Sequence, residues 1–260
     1  MKIHSAGRVR EELAKTLRDP QRILRLRQRK YRRLLATSFR GTPGAWRTAP
    51  DAGFRARAYP SYDDYIRHQQ SKPGEIRLTG HDDELCAALA ARLRDDRVPA
   101  GSSALCLGAR FGGEVRAFWS VGCFAVGIDL RTAPQSKQVL YGDFQDLQFP
   151  DACVDFVYTN SLDHAYDITA VLTEIARVLK PSGQLIVDAV RGAEEGHPPG
   201  MWECFYWSTT EDLIELLRAH GFGIVQRAPF TAPWEGEHLR FELLAGVSVA
   251  NGPQTRPASS

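Results

Sequence analysis

The sequence predicts an α/β fold, a doubly wound parallel sheet with an N-terminal helical extension. From residue 103 onward, short continuous apolar runs alternate with stretches of helical periodicity. This pattern is typical of parallel strands buried on both faces and joined by crossover helices. Before residue 100 the chain shows basic and amphipathic helical patterns instead. The 260 residues have an ordinary globular composition, and their number is sufficient for one large domain with an appendage.

Residues 1–50 form a basic arm. They carry fourteen Lys and Arg against three Asp and Glu, although the whole chain has a net charge of only +2. Apolar residues at helical spacing predict two basic helices that meet at Asp19 and Pro20. Such helices suit an anionic membrane surface, RNA or an acidic protein partner, with residues 1–40 as the contact. The alternative is a solvated helix face packed against the acidic remainder of the chain.

Residues 51–99 are expected to form an N-terminal helical cap. Ser61 followed by Asp64 is a helix-capping pattern, which predicts a short helix over 62–70. Three leucines four residues apart, Leu85, Leu89 and Leu93, predict a second amphipathic helix that ends before Pro99.

The main domain is predicted over 100–248, and residues 249–260 read as a disordered tail. Strands are expected over 103–109, 124–130, 138–144, 154–161, 184–190, 222–230 and 239–247. Helices are expected over 112–122, 165–180 and 209–221. A doubly wound sheet binds its ligand outside the carboxyl ends of its strands.

The first strand ends at a glycine break, and a helical pattern resumes after Gly112 and Gly113. Gly108 lets the backbone turn tightly and lets a ligand approach closely, while the following helix N-terminus presents unpaired N–H groups. The order of the glycines differs from the dinucleotide pattern, because Arg110 stands at the second glycine position. The alternative is that the glycines serve only helix-on-sheet packing.

Carboxylates follow the next two strands. Asp129 ends the second strand, where a carboxylate is well placed to accept two hydroxyl protons of a ribose. Asp143 ends the third strand, where a carboxylate and the next N–H suit the edge of an adenine. Either aspartate alone is more often a strand-end cap, but together with the glycine break they indicate a nucleotide-like ligand.

At these residues the chain resembles the class I S-adenosylmethionine-dependent methyltransferases of the small-molecule type. The resemblance rests on "LCLGARFGG", "GIDL" and "GDFQDLQFPD", followed by "VDFVYTNSLDHAYD" and "EIARVLKPSGQLIVD" in the order and spacing of that family. It covers about residues 100–190. The resemblance implies a Rossmann-like, mostly parallel seven-stranded sheet whose last strand is antiparallel, with S-adenosyl-L-methionine as the cofactor.

Site residues carried over by position form an expected cofactor site. Gly108 would border the methionine portion, Asp129 would bind the ribose, and Asp143 with Phe144 would contact the adenine. The expected site also includes Ala109, Arg110, Gly112, Leu130 and Asn160. From the N-terminal side, Tyr65, Gln69 and Lys72 either close over the cofactor or pack as ordinary surface.

Two positions depart from the family pattern. Cys106 stands where the family usually has an acidic residue that helps position the ammonium end of the cofactor, so either another group compensates or binding is weaker. Arg110 stands where a glycine is common, and it either pairs with the cofactor carboxylate or points away from it.

Asp163 and His164 follow the fourth strand, where the family reaches the transferring methyl group. His164 is the candidate general base, since the ordinary pKa of a histidine side chain lies near neutrality, and Asp163 would orient it or bind the acceptor. The alternative is that Asp163 caps a helix beginning near residue 165 and His164 only lies against the cofactor. No metal site is expected, because the five cysteines are widely spread and never occur as Cys-x-x-Cys.

An aromatic insert after the fifth strand is the expected acceptor-binding segment. Trp202, Phe205 and Tyr206 would form a lid over an acceptor with apolar faces, or else seal the sheet edge. The overall prediction is a methyltransferase that O-methylates a small molecule or glycan. The alternatives are an RNA methyltransferase tethered by the basic arm and a catalytically silent scaffold with the same fold.

A cytoplasmic location is expected, peripheral at a membrane if the basic arm binds one. No stretch approaches eighteen consecutive apolar residues, and the first residues lack the apolar core of a secretory signal. The oligomeric state is left open.

Overall fold

The computed structural model describes residues 46–48, 53–72, 80–132 and 136–244. All of them belong to the second of the two units into which the chain divides, Trp46–Ser260. The predicted helices of the basic arm and the predicted tail over 249–260 lie outside the described residues. The same holds for the partner surfaces assigned to residues 1–40.

Ten strands and five α-helices form the described part of the chain. The strands are β1 (Trp46–Thr48), β2 (Phe54–Arg57), β3 (Ser103–Leu107), β4 (Phe124–Asp129), β5 (Val139–Tyr141), β6 (Val154–Thr159), β7 (Leu179–Ala189), β8 (Phe205–Trp207), β9 (Phe222–Phe230) and β10 (Gly236–Leu243). The helices are α1 (Tyr62–Gln70), α2 (His81–Asp95), α3 (Gly113–Ser120), α4 (Ile168–Val178) and α5 (Thr210–Ala219).

The main sheet has seven strands in the order β5-β4-β3-β6-β7-β10-β9. The first five pair in parallel, whereas β10 pairs antiparallel with both β7 and β9. The doubly wound, mostly parallel sheet with an antiparallel last strand is therefore confirmed. The chain leaves β3 toward β4 on one side and later crosses to β6 on the other, so that a crevice opens beyond the ends of β3, as expected for a topological switch point.

The central strands of this sheet are mostly apolar because both of their faces are covered. In β3, Leu105 and Leu107 pack into a cluster that includes residues of α4 and α5, while Ala104 and Cys106 pack into a cluster with α2 and α3. All four side chains are buried. Burying each leucine stabilises the fold by roughly 1.5–3 kcal/mol relative to exposure.

Local capping fixes where several helices begin. Ser61 accepts a hydrogen bond from the Asp64 backbone, as the sequence pattern predicted for α1. Thr209 and Asp212 form a reciprocal capping box at the start of α5. Helix α4 begins three residues later than predicted, and the alternative in which Asp163 caps it is wrong: Asp167 is the cap and accepts from the Ala170 backbone 3.1 Å away.

A small second sheet was not predicted from the sequence. In it, β2 pairs antiparallel with β1 and with β8. The segment 51–99 is therefore not purely helical, and part of the aromatic insert is a strand rather than a free lid. Each of these strands has only three or four residues, which is too short to show a clear periodicity.

Candidate functional site

A cavity lies at the carboxyl ends of β3, β4 and β6, at the edge where the fold places its ligand. Six of its lining residues are predicted site residues: Gly108, Arg110, Asp129, Leu130, Phe144 and His164. Three come from α1 and the turn after it, namely Tyr65, Gln69 and Lys72, and the lining is completed by Arg131 and Ser161. The N-terminal segment thus contributes one wall, as expected if it closes over a ligand.

Gly108 forms the tight turn after β3. Its φ is +75°, and a Cβ atom there would lie 2.6 Å from Ser161 Oγ. Any side chain would therefore collide with the opposite wall, at a backbone conformation that side chains disfavour. The glycine keeps the floor of the cavity open to a ligand.

Asp129 is held by two backbone N–H groups. The amide of Arg131 donates to Oδ1 at 2.7 Å, and that of Arg110 donates to Oδ2 at 3.2 Å. Burial raises the pKa of the carboxyl, although these donors oppose the rise. Each carboxylate oxygen has a further acceptor site, so the group can also accept the two hydroxyl protons of a ribose.

Phe144 lines the cavity, but its neighbour Asp143 is not among the lining residues. The Gln145 backbone donates to Asp143 Oδ1 at 2.9 Å, and burial raises the pKa of this carboxyl. Ala109 and Gly112 are buried, and neither lines the cavity. Asn160 and Asp163 do not line the cavity either. The expected roles of all these residues, and of the lining residues, stay predictions.

His164 has both ring nitrogens engaged. Nδ1 lies 2.9 Å from the carbonyl of Trp202, and Nε2 lies 3.0 Å from Lys72 Nζ. A carbonyl only accepts, so Nδ1 carries the proton and Nε2 accepts from Lys72. Burial and the Lys72 charge lower the pKa of His164 to about 3. No free lone pair remains on the ring to take a proton from an acceptor, so this geometry does not favour the predicted role of His164 as the base.

Asp163, in contrast to His164, has an acceptor atom that none of the described residues occupies. Its side chain is 16% exposed, and Oδ1 lies 3.8 Å from His164 Nε2. That oxygen is buried without a hydrogen-bond partner among the described residues. Burial raises the pKa of the carboxyl to about 6, against the opposing charge of Lys72. A carboxylate with a raised pKa and an open lone pair is a better proton acceptor than the neighbouring ring.

None of Trp202, Phe205 and Tyr206 lines the cavity, but Trp202 contacts two residues of its wall. The Trp202 carbonyl accepts from His164 and from Gln69, and its ring stacks on His68 at 5.2 Å. Phe205 is 4% exposed and stacks on Phe54, and Tyr206 meets the edge of Trp46 at 4.7 Å. Phe205 thus belongs to the hydrophobic core, contrary to the expected lid, because β8 pairs with β2 and turns its ring inward.

The sequence reasoning missed two lining residues, Ser161 and Arg131. Each stands directly beside a predicted residue, so a signal was present in the chain order. Tyr65 holds the wall of α1 in place by donating to the His164 carbonyl at 3.1 Å. Arg131 does the same by donating to the Gln70 carbonyl at 2.9 Å.

Residues 105–187 match the family model described as a methyltransferase domain. The chain contains a methyltransferase domain. This domain holds β3 to β7, the strands whose ends surround the cavity. No curated protein sequence matches the methyltransferase.

Solved structures support the fold of this methyltransferase at low sequence identity. It is similar to a 1,6-didemethyltoxoflavin-N1-methyltransferase from Burkholderia thailandensis, crystallised with its substrate and S-adenosylhomocysteine. The TM-score is 0.57 and the identity 17%, over 75% of this chain and 98% of that one. A putative methyltransferase bound to the Trm112 activator from Haloferax volcanii gives a TM-score of 0.52, with 19% identity over 70% of this chain and 98% of that one. An S-adenosylmethionine-dependent methyltransferase from Aquifex aeolicus gives 0.50, with 16% identity over 60% and 89%.

The cavity residues fit S-adenosylmethionine. The absent side chain at Gly108 permits a close approach, and Asp129 retains acceptor sites for a ribose. Lys72, Arg110 and Arg131 supply cations for the cofactor carboxylate. Arg110 is half-buried with its guanidinium 4.8 Å from the Phe111 ring, so it belongs to the cavity wall rather than to the open surface. None of the described helices is long and apolar enough to cross a membrane.

Proposed function

We propose that this methyltransferase transfers a methyl group to a hydroxyl of a small molecule or glycan. The observation that carries the proposal is the buried, unpartnered Oδ1 of Asp163 beside Lys72 and His164. A hydroxyl becomes a strong nucleophile only as it loses its proton, whereas a neutral amine needs no base. A carboxyl whose pKa is raised to about 6 suits a hydroxyl acceptor.

The cofactor, when bound, supplies a methyl group on a positively charged sulfur. Asp129 would hold its ribose, Phe144 would lie against its adenine, and Gly108 would border its methionine portion. Tyr65 and Gln69 would exclude water on the side of α1, since both are buried. Exclusion of water and alignment of the reacting groups are the main demands of this displacement.

Asp163 and Lys72 would act on the acceptor. Asp163 Oδ1 takes the hydroxyl proton as the oxygen forms its bond to the methyl carbon. Lys72, whose pKa is lowered by burial, donates a hydrogen bond that stabilises the developing negative charge. His164 positions Lys72, because its Nε2 accepts from Nζ while its Nδ1 is anchored on the Trp202 carbonyl.

The acceptor is also expected to contact Trp202 and Tyr206. Trp202 adjoins the His164 wall, and Tyr206 is half-exposed. An acceptor with one apolar face and several hydroxyls, such as a sugar or a polyketide, matches an aromatic surface next to a buried carboxylate.

The basic arm is a proposed tether to an anionic surface. Its eleven excess positive charges would serve RNA, an anionic membrane or an acidic protein, and the RNA alternative makes the arm part of substrate binding. Association with a phosphate backbone weakens steeply with salt, whereas the affinity for a small acceptor does not.

The test is a cofactor titration followed by an acceptor screen. Calorimetry with S-adenosylmethionine and S-adenosylhomocysteine is expected to give micromolar binding of both ligands. Release of S-adenosylhomocysteine is then measured with hydroxyl, amine and RNA acceptors in parallel. Turnover with hydroxyl acceptors supports the proposal, and turnover confined to amines or RNA contradicts it. Absence of binding to either ligand would favour the silent scaffold.

A further inference from the structure

Glu114 is a buried carboxylate without a role in the site described so far. It is the second residue of α3 and is only 6% exposed. It does not line the cavity. Burying a carboxylate is costly unless its charge is compensated by partners or a ligand, so its position behind the cavity wall requires an explanation.

A short hydrogen-bond chain connects Glu114 to the cavity. Glu114 Oε1 lies 3.2 Å from Asn160 Nδ2, and Asn160 Oδ1 lies 2.9 Å from Ser161 Oγ. Ser161 is the lining residue that faces Gly108. An ionised carboxylate can only accept, so it fixes the amide nitrogen of Asn160 toward Glu114 and turns the amide oxygen toward Ser161.

The charges of the cavity lining explain why the orientation of the Asn160 amide matters. Lys72, Arg110 and Arg131 line it as cations, and the only acidic side chain that lines it within the described ranges is Asp129. Two backbone donors already occupy that carboxylate. The methionine end of the cofactor carries an ammonium group as well as a carboxylate. On the wall formed by Gly108 and Ser161, Glu114 is the carboxylate that is hydrogen-bonded to the wall through Asn160.

We propose that Glu114 is a positioning residue for the ammonium end of S-adenosylmethionine. It holds Asn160 with the amide oxygen toward the cavity, where that oxygen accepts from the ammonium. It also places one negative charge behind the wall. This inference rests on the cofactor site and is independent of the acceptor.

Cys106 lies beside Glu114 and cannot supply that charge. The thiol is fully buried, and burial together with the nearby Glu114 raises its pKa well above the ordinary value. The position at which the resembled family usually has an acidic residue therefore carries a neutral thiol in this chain. The carboxylate comes from the first turn of α3 instead of from the end of β3.

The charge of Glu114 depends on pH in the physiological range. Burial raises its pKa to about 7, and the Asn160 hydrogen bond opposes the rise. The titratable groups that face it from α2, β3, β4 and β6 are Asp82, Cys86, Cys106, Asp129 and Tyr158. Because the ammonium is bound best by the ionised carboxylate, cofactor affinity is expected to rise as the pH increases through about 7.

The experiment compares two ligands in the full-length protein. S-adenosylhomocysteine carries the ammonium, whereas 5′-methylthioadenosine lacks the amino-acid portion. Calorimetric titrations from pH 6 to 8 are made with the wild type, Glu114→Gln and Asp129→Asn. Thermal unfolding of each variant checks that it folds.

Glu114→Gln is expected to weaken S-adenosylhomocysteine about tenfold at pH 8, to leave 5′-methylthioadenosine within about twofold, and to remove the rise in affinity with pH. Asp129→Asn weakens both ligands. Equal weakening of both ligands by Glu114→Gln would identify a merely structural role, and unchanged affinity for both would also overturn the inference. If the wild type binds neither ligand, the cofactor site itself fails and the proposed function fails with it.

Discussion

Lys72 Nζ lies 3.0 Å from His164 Nε2, and the opposite nitrogen of the same ring lies 2.9 Å from the Trp202 carbonyl. The ring therefore joins the α1 side of the cavity to the aromatic insert. Its two nitrogens are used for this connection. We therefore propose the neighbouring Asp163 as the group that takes the proton of the acceptor.

Replacement of Asp163 by asparagine tests this assignment. Asp163→Asn is expected to lower turnover about 10²–10³-fold, because the amide cannot take a proton. Cofactor affinity should stay within about twofold. In the wild type, turnover should increase as the pH rises through about 6, the raised pKa of Asp163, since only the ionised form is a base.

His164→Ala is the comparator for that variant, with initial rates and cofactor titrations measured side by side. A smaller loss of turnover is expected than in Asp163→Asn, because His164 positions Lys72 rather than taking the proton. A larger loss in His164→Ala, with normal activity of Asp163→Asn, would return the role of base to the histidine.

Replacement of Asp129 tests the ribose assignment. Asp129→Ala is expected to weaken S-adenosylmethionine binding by roughly 2–4 kcal/mol, through loss of two charge-assisted hydrogen bonds. Calorimetry of the wild type and the variant measures the change. Unchanged affinity in Asp129→Ala would refute its contact with the ribose.

A buried ion cluster predicts how stability depends on pH. His238 lies between Asp188 Oδ1, 2.5 Å from Nδ1, and Asp96 Oδ2, 2.7 Å from Nε2. Two carboxylates require two N–H donors, so the ring is an imidazolium. Burial acts to lower the pKa of His238, but the hydrogen bonds to both aspartates outweigh it and raise the pKa.

The stabilisation from His238 should be complete below its unfolded pKa of about 6.5 and be lost as the pH rises through the higher folded pKa. His238→Gln is expected to lose about 3 kcal/mol at pH 6, since two buried carboxylates lose one of their cations, although Asp188 keeps Arg92 and Asp96 keeps Arg240. Urea unfolding from pH 6 to 9 measures this. A variant as stable as the wild type at pH 6 would rule out the imidazolium.

The aromatic insert gives a stability prediction for Phe205. Phe205→Ala is expected to lower the free energy of unfolding by roughly 3–5 kcal/mol, because it leaves a cavity in the core beside Phe54. Tyr206→Ala should cost less, since its ring is half-exposed. Urea unfolding of the two variants measures these losses of stability. A stable Phe205→Ala with weakened acceptor binding would restore the residue to the acceptor site.

Deletion of residues 1–40 tests the tether. Any association with RNA or with anionic vesicles is expected to disappear in the truncated chain, while the affinity for S-adenosylhomocysteine stays unchanged. Co-sedimentation with vesicles and filter binding with RNA, each at two salt concentrations, measure the loss. Association that survives the deletion would assign it to another surface.

Much of the main domain was predictable because its strands are covered on both faces. The runs that became β3, β4 and β6 contain few polar residues for this reason, and Ser61 and Thr209 mark helix starts by their own chemistry. The sheet of β1, β2 and β8 was not predictable, because residues 54–57 and 205–207 pair across a long sequence separation and neither segment shows a period. The sequence left the cap of α4 open, since Asp163 and Asp167 both precede the same helical pattern.

The sequence by itself determined the succession of the main-sheet strands along the chain, the glycine break after β3 and the carboxylate at the end of β4, because each depends on local chemistry and spacing. Only the tertiary structure brought Lys72 to the ring of His164. Lys72 is 92 positions away from His164 along the chain, and it occupies the lone pair that would have made the histidine a base. The proposed role of Glu114 also depends on the tertiary structure, because the fold brings Asn160, which follows another strand, to its carboxylate.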